Sequence, residues 1–268
     1  MTEPTPNRIQ DFHADHWIEN VHSTSVLKEM HFIRTMAGRK ARPFGIAITK
    51  QSGGGKTAII NEFDRVASKS VHKPSRVRHT IIEMPYEPKT YEIKNEILKS
   101  IGSPVGNHVN RETFKRIITQ GNFRVVIIDE FHNMLGAQKT QLTQCLNCIK
   151  WITNVCKVSF ILVGTDAITR VFEYDNQFAT RFRTVEIPDW KNDLIFKKFV
   201  AEYLSLLPID APESVPSDLF DVLLSCGNTK RIVEVLCQAA FEADSANEIN
   251  KLLKHVKMVA NRSGYITK

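Results

Sequence analysis

Lys50-Gln51-Ser52-Gly53-Gly54-Gly55-Lys56-Thr57 stands between the apolar run 44–48 and the helical pattern 58–66. A glycine-rich loop between a strand and a helix is a phosphate cradle. Its backbone can curl so that several N–H groups point inward at phosphate oxygens, and the helix N-terminus adds its positive dipole end. In that role the backbone from Ser52 through Gly53, Gly54, Gly55 and Lys56 to Ala58 surrounds the phosphates. Lys56 reaches the β- and γ-phosphates, and the Thr57 hydroxyl completes the shell of a magnesium ion. The loop departs from the pattern G-x-x-x-x-G-K-[ST] where Lys50 fills the place of the first glycine. Lysine costs more than glycine wherever φ is positive, but is tolerable if the chain is still leaving the strand in an ordinary conformation. One physical guess puts its ammonium near the phosphates beside Lys56. A glycine-rich turn that only caps a helix is the competing reading.

Arg124-Val125-Val126-Ile127-Ile128-Asp129-Glu130 is the second informative stretch, an unbroken apolar strand ending in two carboxylates. A continuous apolar run is what a central parallel strand, buried on both faces, requires. Ligands of open α/β sheets bind outside the carboxyl ends of the strands. Asp129 is therefore placed to hold magnesium through water, and Glu130 to polarise an attacking water. The chemistry is metal-assisted displacement on the γ-phosphate, with the protein supplying position and charge. Acids at a strand end also serve as plain helix N-caps.

The chain has 268 residues, 42% of them hydrophobic, enough for one α/β domain of about 180 residues plus a smaller one. No run approaches the roughly 18 apolar residues of a membrane span, and the N-terminus carries Glu3, Pro4 and Pro6 where a signal peptide needs apolar residues. A cytoplasmic protein without a membrane partner is expected. The cysteines, Cys145, Cys148, Cys156, Cys226 and Cys237, form no disulfide framework and read as reduced core residues. Cys145 and Cys148 share a helix face, but a zinc site needs two more ligands at suitable spacing. His13, His16 and His22, with Asp15 and Glu19, complete no familiar ligand spacing either.

Net charge is +7, concentrated in three stretches free of acids: Arg34, Arg39, Lys40 and Arg42; Arg65, Lys69, Lys73, Arg76 and Arg78; and Lys251, Lys254, Lys257, Arg262 and Lys268. Such blocks can neutralise phosphates along a duplex, or simply form a solvated basic face.

Apolar strands alternating with helical patterns predict a doubly wound α/β fold. Strands are expected over 44–48, 79–84, 124–128, 158–163 and 184–187. Helices are expected between them over 58–68, 91–101, 111–119, 139–155 and 167–172. After Pro188 the β signal stops, and helices are expected over 193–206, 217–224, 229–243 and 247–259, with 208–216 a proline-rich loop. The division is an N-terminal extension over 1–40, helical or irregular, a nucleotide-binding core over 41–189, and a helical lid with a basic tail over 190–268.

Further polar groups suit a nucleotide-dependent switch. Val163-Gly164-Thr165-Asp166 ends the fourth strand beside the loop and the acids, where Thr165 can feel the γ-phosphate or its attacking water. Helix N-capping by Thr165 or Asp166 competes with that reading. Phe178-Ala179-Thr180-Arg181-Phe182-Arg183 puts two guanidinium groups just before the fifth strand, where either could stabilise transition-state charge in a neighbouring subunit. Arg231, in Gly227-Asn228-Thr229-Lys230-Arg231, opens a lid helix and would report whether the nucleotide is ATP or ADP. Exposed surface charge is the alternative for each arginine.

The chain resembles AAA+ ATPases, and among them the transposon target-selection regulators of TniB and TnsC type, from about residue 16 to about residue 243. Beyond the two nucleotide motifs, the resemblance lies in Ile128-Asp129-Glu130-Phe131-His132-Asn133-Met134-Leu135, Val163-Gly164-Thr165, Asn176-Gln177-Phe178-Ala179-Thr180-Arg181-Phe182 and Ile187-Pro188-Asp189-Trp190, in the same order and with similar spacing. It implies an AAA+ P-loop NTPase fold, a five-stranded parallel sheet flanked by helices with a small C-terminal helical lid. It also implies ATP and Mg2+ as cofactors, and an ATP-dependent homo-oligomer, ring or helical filament, on double-stranded DNA that recruits or activates a transposase, with a target-selection factor as a further partner. By resemblance Lys56, Thr57, Asp129, Glu130, Thr165 and Arg231 take the nucleotide roles. Arg181, or else Arg183, acts across a subunit boundary, and Lys89 with residues near Arg111 grips DNA. An ATP-stabilised adaptor without significant turnover and a helicase loader are the alternatives. A small-molecule kinase would need an acceptor motif and a catalytic lid that the sequence does not display.

Overall fold

Gly45–Thr49 (β1) is buried along its whole length and apolar as far as Ile48, because it lies inside a parallel sheet with neighbours on both sides. The other strands are Arg78–Glu83 (β2), Phe123–Asp129 (β3), Ser159–Gly164 (β4) and Phe182–Glu186 (β5), in the order β2-β3-β4-β1-β5. All pair in parallel, so every C-terminal end reaches the same edge. β4 is buried throughout, as is β3 from Val125 to Ile128, which is why these strands read as continuous apolar runs. The computed structural model describes residues 16–39, 43–69, 77–103, 109–207, 215–242 and 249–265. His13, Asp15, Lys40, Arg42, Lys73, Arg76, Lys268 and most of the proline-rich loop lie outside them.

Two compact units divide the chain, one of Ser25–Ser52 and Lys56–Ile187, the other of Met1–Thr24, Gly53–Gly55 and Pro188–Lys268. The first holds the sheet and its helices. Most of helix Val21–Met36 (α1) belongs here and buries Val26, Met30 and Ile33. Lys56–Ser68 (α2) buries Ile59, Ile60, Phe63 and Ala67 on one face. Thr90–Ser100 (α3) and Arg111–Gln120 (α4) follow β2. Lys139–Cys156 (α5) buries Leu142, Cys145, Leu146, Ile149, Ile152, Thr153 and Cys156, a stripe at three- and four-residue spacing. Ile168–Phe172 (α6) and Asn176–Ala179 (α7) complete the unit. The second unit is helical: Leu194–Leu206 (α8), Ser217–Ser225 (α9), Thr229–Glu242 (α10) and Ile249–Arg262 (α11). They enclose a core that includes Phe196, Leu219, Leu223, Val235, Leu236 and Val259. Trp190 stacks on Phe199 at 4.7 Å and donates its indole N–H to Thr229 Oγ1 at 2.9 Å. No described helix is long and apolar enough to cross a membrane.

Three sequence expectations are narrowed or changed. Residues 21–36, expected to be helical or irregular, form a regular helix whose start is set by reciprocal bonds between Asn20 and Ser23. β5 begins at Phe182 rather than Thr184, so Arg183 lies inside the strand, opposite Ile46. A Cβ on Gly45 would lie 2.5 Å from the Phe182 ring and 2.3 Å from the Phe160 carbonyl, so glycine at 45 lets β1 and β5 pair from their first residues. The third change is at the basic stretches, where several cations have partners within the chain. Arg65 is bidentate to Glu62, Arg34 donates to the Ala67 carbonyl, Arg78 stacks over Phe123, and Arg262 pairs with Glu242.

The five cysteines are free. Burial pushes the Cys145 thiol up to about 12, the behaviour of a small core residue.

Asp175 fixes the turn that leads into Arg181. Its carboxylate accepts from Lys150 Nζ at 2.5 Å and caps α7 by accepting from Phe178 N–H at 2.9 Å. Burial works to raise its pKa, but these bonds outweigh it and hold the carboxyl below its ordinary value. A depressed carboxyl adds stability that is present at neutral pH and lost as pH falls through the folded-state pKa. Asp175→Asn is expected to lower unfolding free energy at pH 7 by about 2 kcal/mol, with the difference shrinking below about pH 4. Denaturant unfolding of both proteins at pH 7 and pH 3 measures this, and equal midpoints at pH 7 would contradict it.

Candidate nucleotide-binding site

β1 ends at Thr49, and the chain leaves it in ordinary backbone geometry. Among described non-glycine residues positive φ occurs at Glu87, Asn122, Glu130 and Lys157, so Lys50 carries no left-handed strain in place of the loop's first glycine. Its N–H donates to the Gly164 carbonyl at 3.1 Å, carrying the β1–β4 ladder one residue further. The strained positions are Gly53, at φ 75°, and Gly55, at φ 86°, where the absence of a Cβ matters.

Lys56 is buried, and its ammonium donates to the carbonyls of Lys50 at 2.9 Å and Gln51 at 3.2 Å. Burial draws its pKa down, the carboxylates of Glu130, Asp129 and Asp166 oppose this, and the nearby Lys50 adds to the lowering. The charges of three acids and a second lysine thus all act on this one ammonium. Thr57 Oγ1 lies 3.4 Å from Asp129 Oδ2. A hydroxyl and a carboxylate at the edge of such a loop form the oxygen donor set that Mg2+ takes, so the residues present fit that ion.

Asp129 also accepts from its neighbour's N–H, Glu130 N to Oδ1 at 2.8 Å. Glu130 is left-handed, φ 51° and ψ 35°, and opens a 3-10 turn, Phe131–Gly136, with no side-chain capping bond. Glu130 therefore does not cap this turn through its side chain. Phe131 and Met134 anchor the turn in the core, and Asn133 Nδ2 bonds to the Met84 carbonyl at 2.9 Å. His132, unassigned from sequence, projects toward the site with Nδ1 3.2 Å from Glu130 Oε2 and 3.5 Å from Thr165 N. Its signal was hidden because the direction of a side chain three residues past a strand end depends on the turn there. Thr165 follows β4 directly. Neither Thr165 nor Asp166 caps α6 through its side chain, which leaves the Thr165 hydroxyl outside any capping role.

The arginines occupy separate places. Arg181 donates to Asn154 Oδ1 at 2.9 Å, and Arg183 is ion-paired with Glu29. Lys89 is exposed at the start of α3, where its N–H donates to Glu92 at 2.8 Å. Arg111, exposed at the start of α4, stacks over Trp151 at 5.3 Å. Arg111 lines one cavity with Thr90, Lys94 and Trp151, and Thr90 is the chain neighbour of Lys89.

In the helical unit Arg231 is exposed, and its guanidinium stacks over Tyr265 at 4.9 Å. Asn228, also unassigned from sequence, caps α10 by accepting from Arg231 N–H at 2.9 Å, and Lys230 N–H donates to the Gly53 carbonyl at 2.9 Å. A Cβ on Gly53 would lie 2.8 Å from Asn228 Oδ1, whereas one on Gly55 would meet nothing within 4 Å. Gly53→Ala is therefore expected to cost about 1 kcal/mol more than Gly55→Ala, because it adds the loss of a cap to the shared positive-φ strain. Thermal unfolding of the two variants measures the difference, and equal losses would contradict it.

Solved structures share the architecture. The chain is similar to the Aeropyrum pernix ORC2 protein, solved as ADPNP–ADP complexes, at 17% identity and a TM-score of 0.66, over 92% of this chain and 71% of that one. The Aeropyrum pernix ORC1 protein in complex with DNA matches at 14% identity and a TM-score of 0.67, over 92% and 66%. Domain III of the Thermotoga maritima replication initiation protein DnaA matches at 12% identity and a TM-score of 0.56, over 96% and 99%. At these identities the likeness establishes the fold, that of AAA+ P-loop proteins. No curated protein matches the sequence. The family model of the bacterial TniB protein matches residues 8–192, which is most of the chain, and with the five-stranded sheet and its loop in place the chain belongs to the TniB family.

Proposed function

We propose that this protein is an ATP-driven switch that assembles on double-stranded DNA and there recruits or activates a transposase, with hydrolysis releasing the assembly. The observation that carries the reading is the convergence of Lys50, Lys56, Asp129, Glu130 and Asp166 beside the Thr57–Asp129 pair, at the sheet edge where the phosphate loop ends. Residues 41–189 act as the nucleotide-binding core and 190–268 as its helical lid.

Each role follows from side-chain chemistry. The backbone from Ser52 to Ala58 presents N–H groups to the phosphates. Lys56 exchanges its two carbonyl partners for β- and γ-phosphate oxygens, and Lys50 adds a second positive charge. Thr57 and Asp129 would hold Mg2+, which would supply positive charge against the charge that develops on the phosphate. Glu130 orients the attacking water, Thr165 meets that water or the γ-phosphate, and Arg231 distinguishes ATP from ADP. Arg181 acts on the nucleotide of a neighbouring subunit, with Arg183 as the other candidate. A residue supplied in trans requires an oligomer, a ring or a helical filament.

Membership of the TniB family and the fold shared with Aeropyrum pernix ORC1, itself solved with DNA, support a nucleic-acid role. Lys89 and Arg111 would contact phosphates, giving binding that is weakly sequence-specific and salt-sensitive. The protein would meet this DNA in the cytoplasm.

Duplex DNA binding with ATP present is expected to weaken at least tenfold between roughly 50 and 200 mM salt. Glu130→Gln is expected to reduce turnover by about 100-fold or more while prolonging the DNA-bound assembly. Fluorescence anisotropy and phosphate release measure both. Failure to bind DNA with ATP present would refute the nucleic-acid role. Parent-like complex lifetimes in Glu130→Gln would favour an adaptor that uses ATP only as structural support.

A further inference from the structure

We propose that Tyr265 is a positioning residue for Arg231: its ring holds the guanidinium by one face and leaves the N–H edges free to take a γ-phosphate oxygen. The proposal rests on the reading of Arg231 as the residue that distinguishes ATP from ADP, and adds what holds it in place. The backbone of Arg231 is tied to the phosphate loop. Lys230 N–H donates to the Gly53 carbonyl at 2.9 Å, and Arg231 N–H donates to Asn228 Oδ1 at 2.9 Å. Gly53 and the helices after Pro188 belong to one compact unit. The Arg231 side chain has no comparable tie to its own helix. It is long and exposed, and such a chain loses rotamer entropy when it orders on a ligand.

The end of α11 brings in the ring. Gly264 takes φ 68° and donates its N–H to the Asn261 carbonyl at 3.1 Å, while Tyr265 N–H donates to the Ala260 carbonyl at 3.0 Å. That pair of bonds closes a Schellman turn and folds Tyr265 back on its helix, where it packs against the core of the helical unit. Its hydroxyl donates to Glu234 Oε2 at 3.0 Å, so both main chain and phenol are anchored. Arg231 Cζ lies 4.9 Å from the ring centroid, within reach of a cation–π contact. Glu234 stands three residues after Arg231 in α10, the spacing at which a helical acid pairs with a base. Instead its Oε2 accepts from Tyr265, and Lys230 Nζ lies 3.8 Å from Oε1. A stacked guanidinium is held by its face with every N–H donor still available, whereas a carboxylate would occupy the edge that a phosphate needs. Tyr265 thus reduces the freedom of Arg231 without taking its donors.

Two measurements on the full chain decide it. Calorimetry with magnesium gives the dissociation constant for ADP divided by that for a non-hydrolysable ATP analogue, which is the preference for the triphosphate. Arg231→Ala is expected to lower that ratio about tenfold or more. Tyr265→Leu, which keeps an apolar side chain against the core but removes the ring, is expected to lower it about threefold or more. Tyr265→Phe keeps the stack and should recover much of that loss, and Tyr265→Leu should have no further effect in a chain that already carries Arg231→Ala. A parent-like ratio in Tyr265→Leu, equal losses in Tyr265→Leu and Tyr265→Phe, or additive losses in the double variant overturns the proposal while leaving Arg231 its role. An unchanged ratio in Arg231→Ala overturns the reading of Arg231, and the proposal with it. Proton chemical shifts provide the second test, which needs no nucleotide. The ring current of Tyr265 should move the Arg231 side-chain resonances upfield in the parent and in Tyr265→Phe but not in Tyr265→Leu; the same shifts in all three overturn the proposal.

Discussion

The parallel ladders on both sides of β1 are the constraint on which the rest of this protein depends. β1 pairs with β4 on one side and β5 on the other, and the bond from Lys50 N–H to Gly164 carries the first ladder past the strand end. Parallel pairing brings the C-terminal ends of all five strands to one edge. Lys56, Asp129, Glu130 and Thr165 are far apart in sequence and meet there because their strands or loops finish together. The glycine at position 45 belongs to the same constraint, since any side chain there would displace Phe182 and with it β5.

Local cost gathers at this edge. Lys56 is buried, Glu130 is left-handed, and Gly53 and Gly55 hold positive φ. A left-handed non-glycine residue costs of order 1–3 kcal/mol and persists only where its surroundings over-determine it. Here Phe131 and Met134 fix the turn after Glu130 by their burial in the core, and Asn133 fixes it through the Met84 carbonyl just past β2. A rigid apolar sheet thus holds polar groups where water or phosphate can reach them.

Much of this was legible in the sequence, and the reasons are specific. β1, β3 and β4 are buried on both faces and so read as unbroken apolar runs, and their predicted limits lie within a residue of the observed ones. α5 was legible from its apolar stripe. β5 was less so, because an edge strand exposes Arg183, Thr184 and Glu186 and its start is set by packing against Gly45, a contact no local pattern records. The phosphate loop and the acidic pair were found from residue type and order. His132 and Asn228 were not assigned, since their parts depend on a 3-10 turn and on a helix cap meeting a glycine. The ion pairs that occupy Arg65 and Arg183 were equally hidden, and they qualify what a count of basic residues can say about DNA.

Calorimetric titration of a non-hydrolysable ATP analogue with magnesium into the parent chain and into Lys56→Ala tests the central claim most directly. The account predicts one saturable site per chain in the parent, lost or greatly weakened in the variant. No heat of binding in the parent at millimolar nucleotide, or equal binding in both proteins, would contradict it.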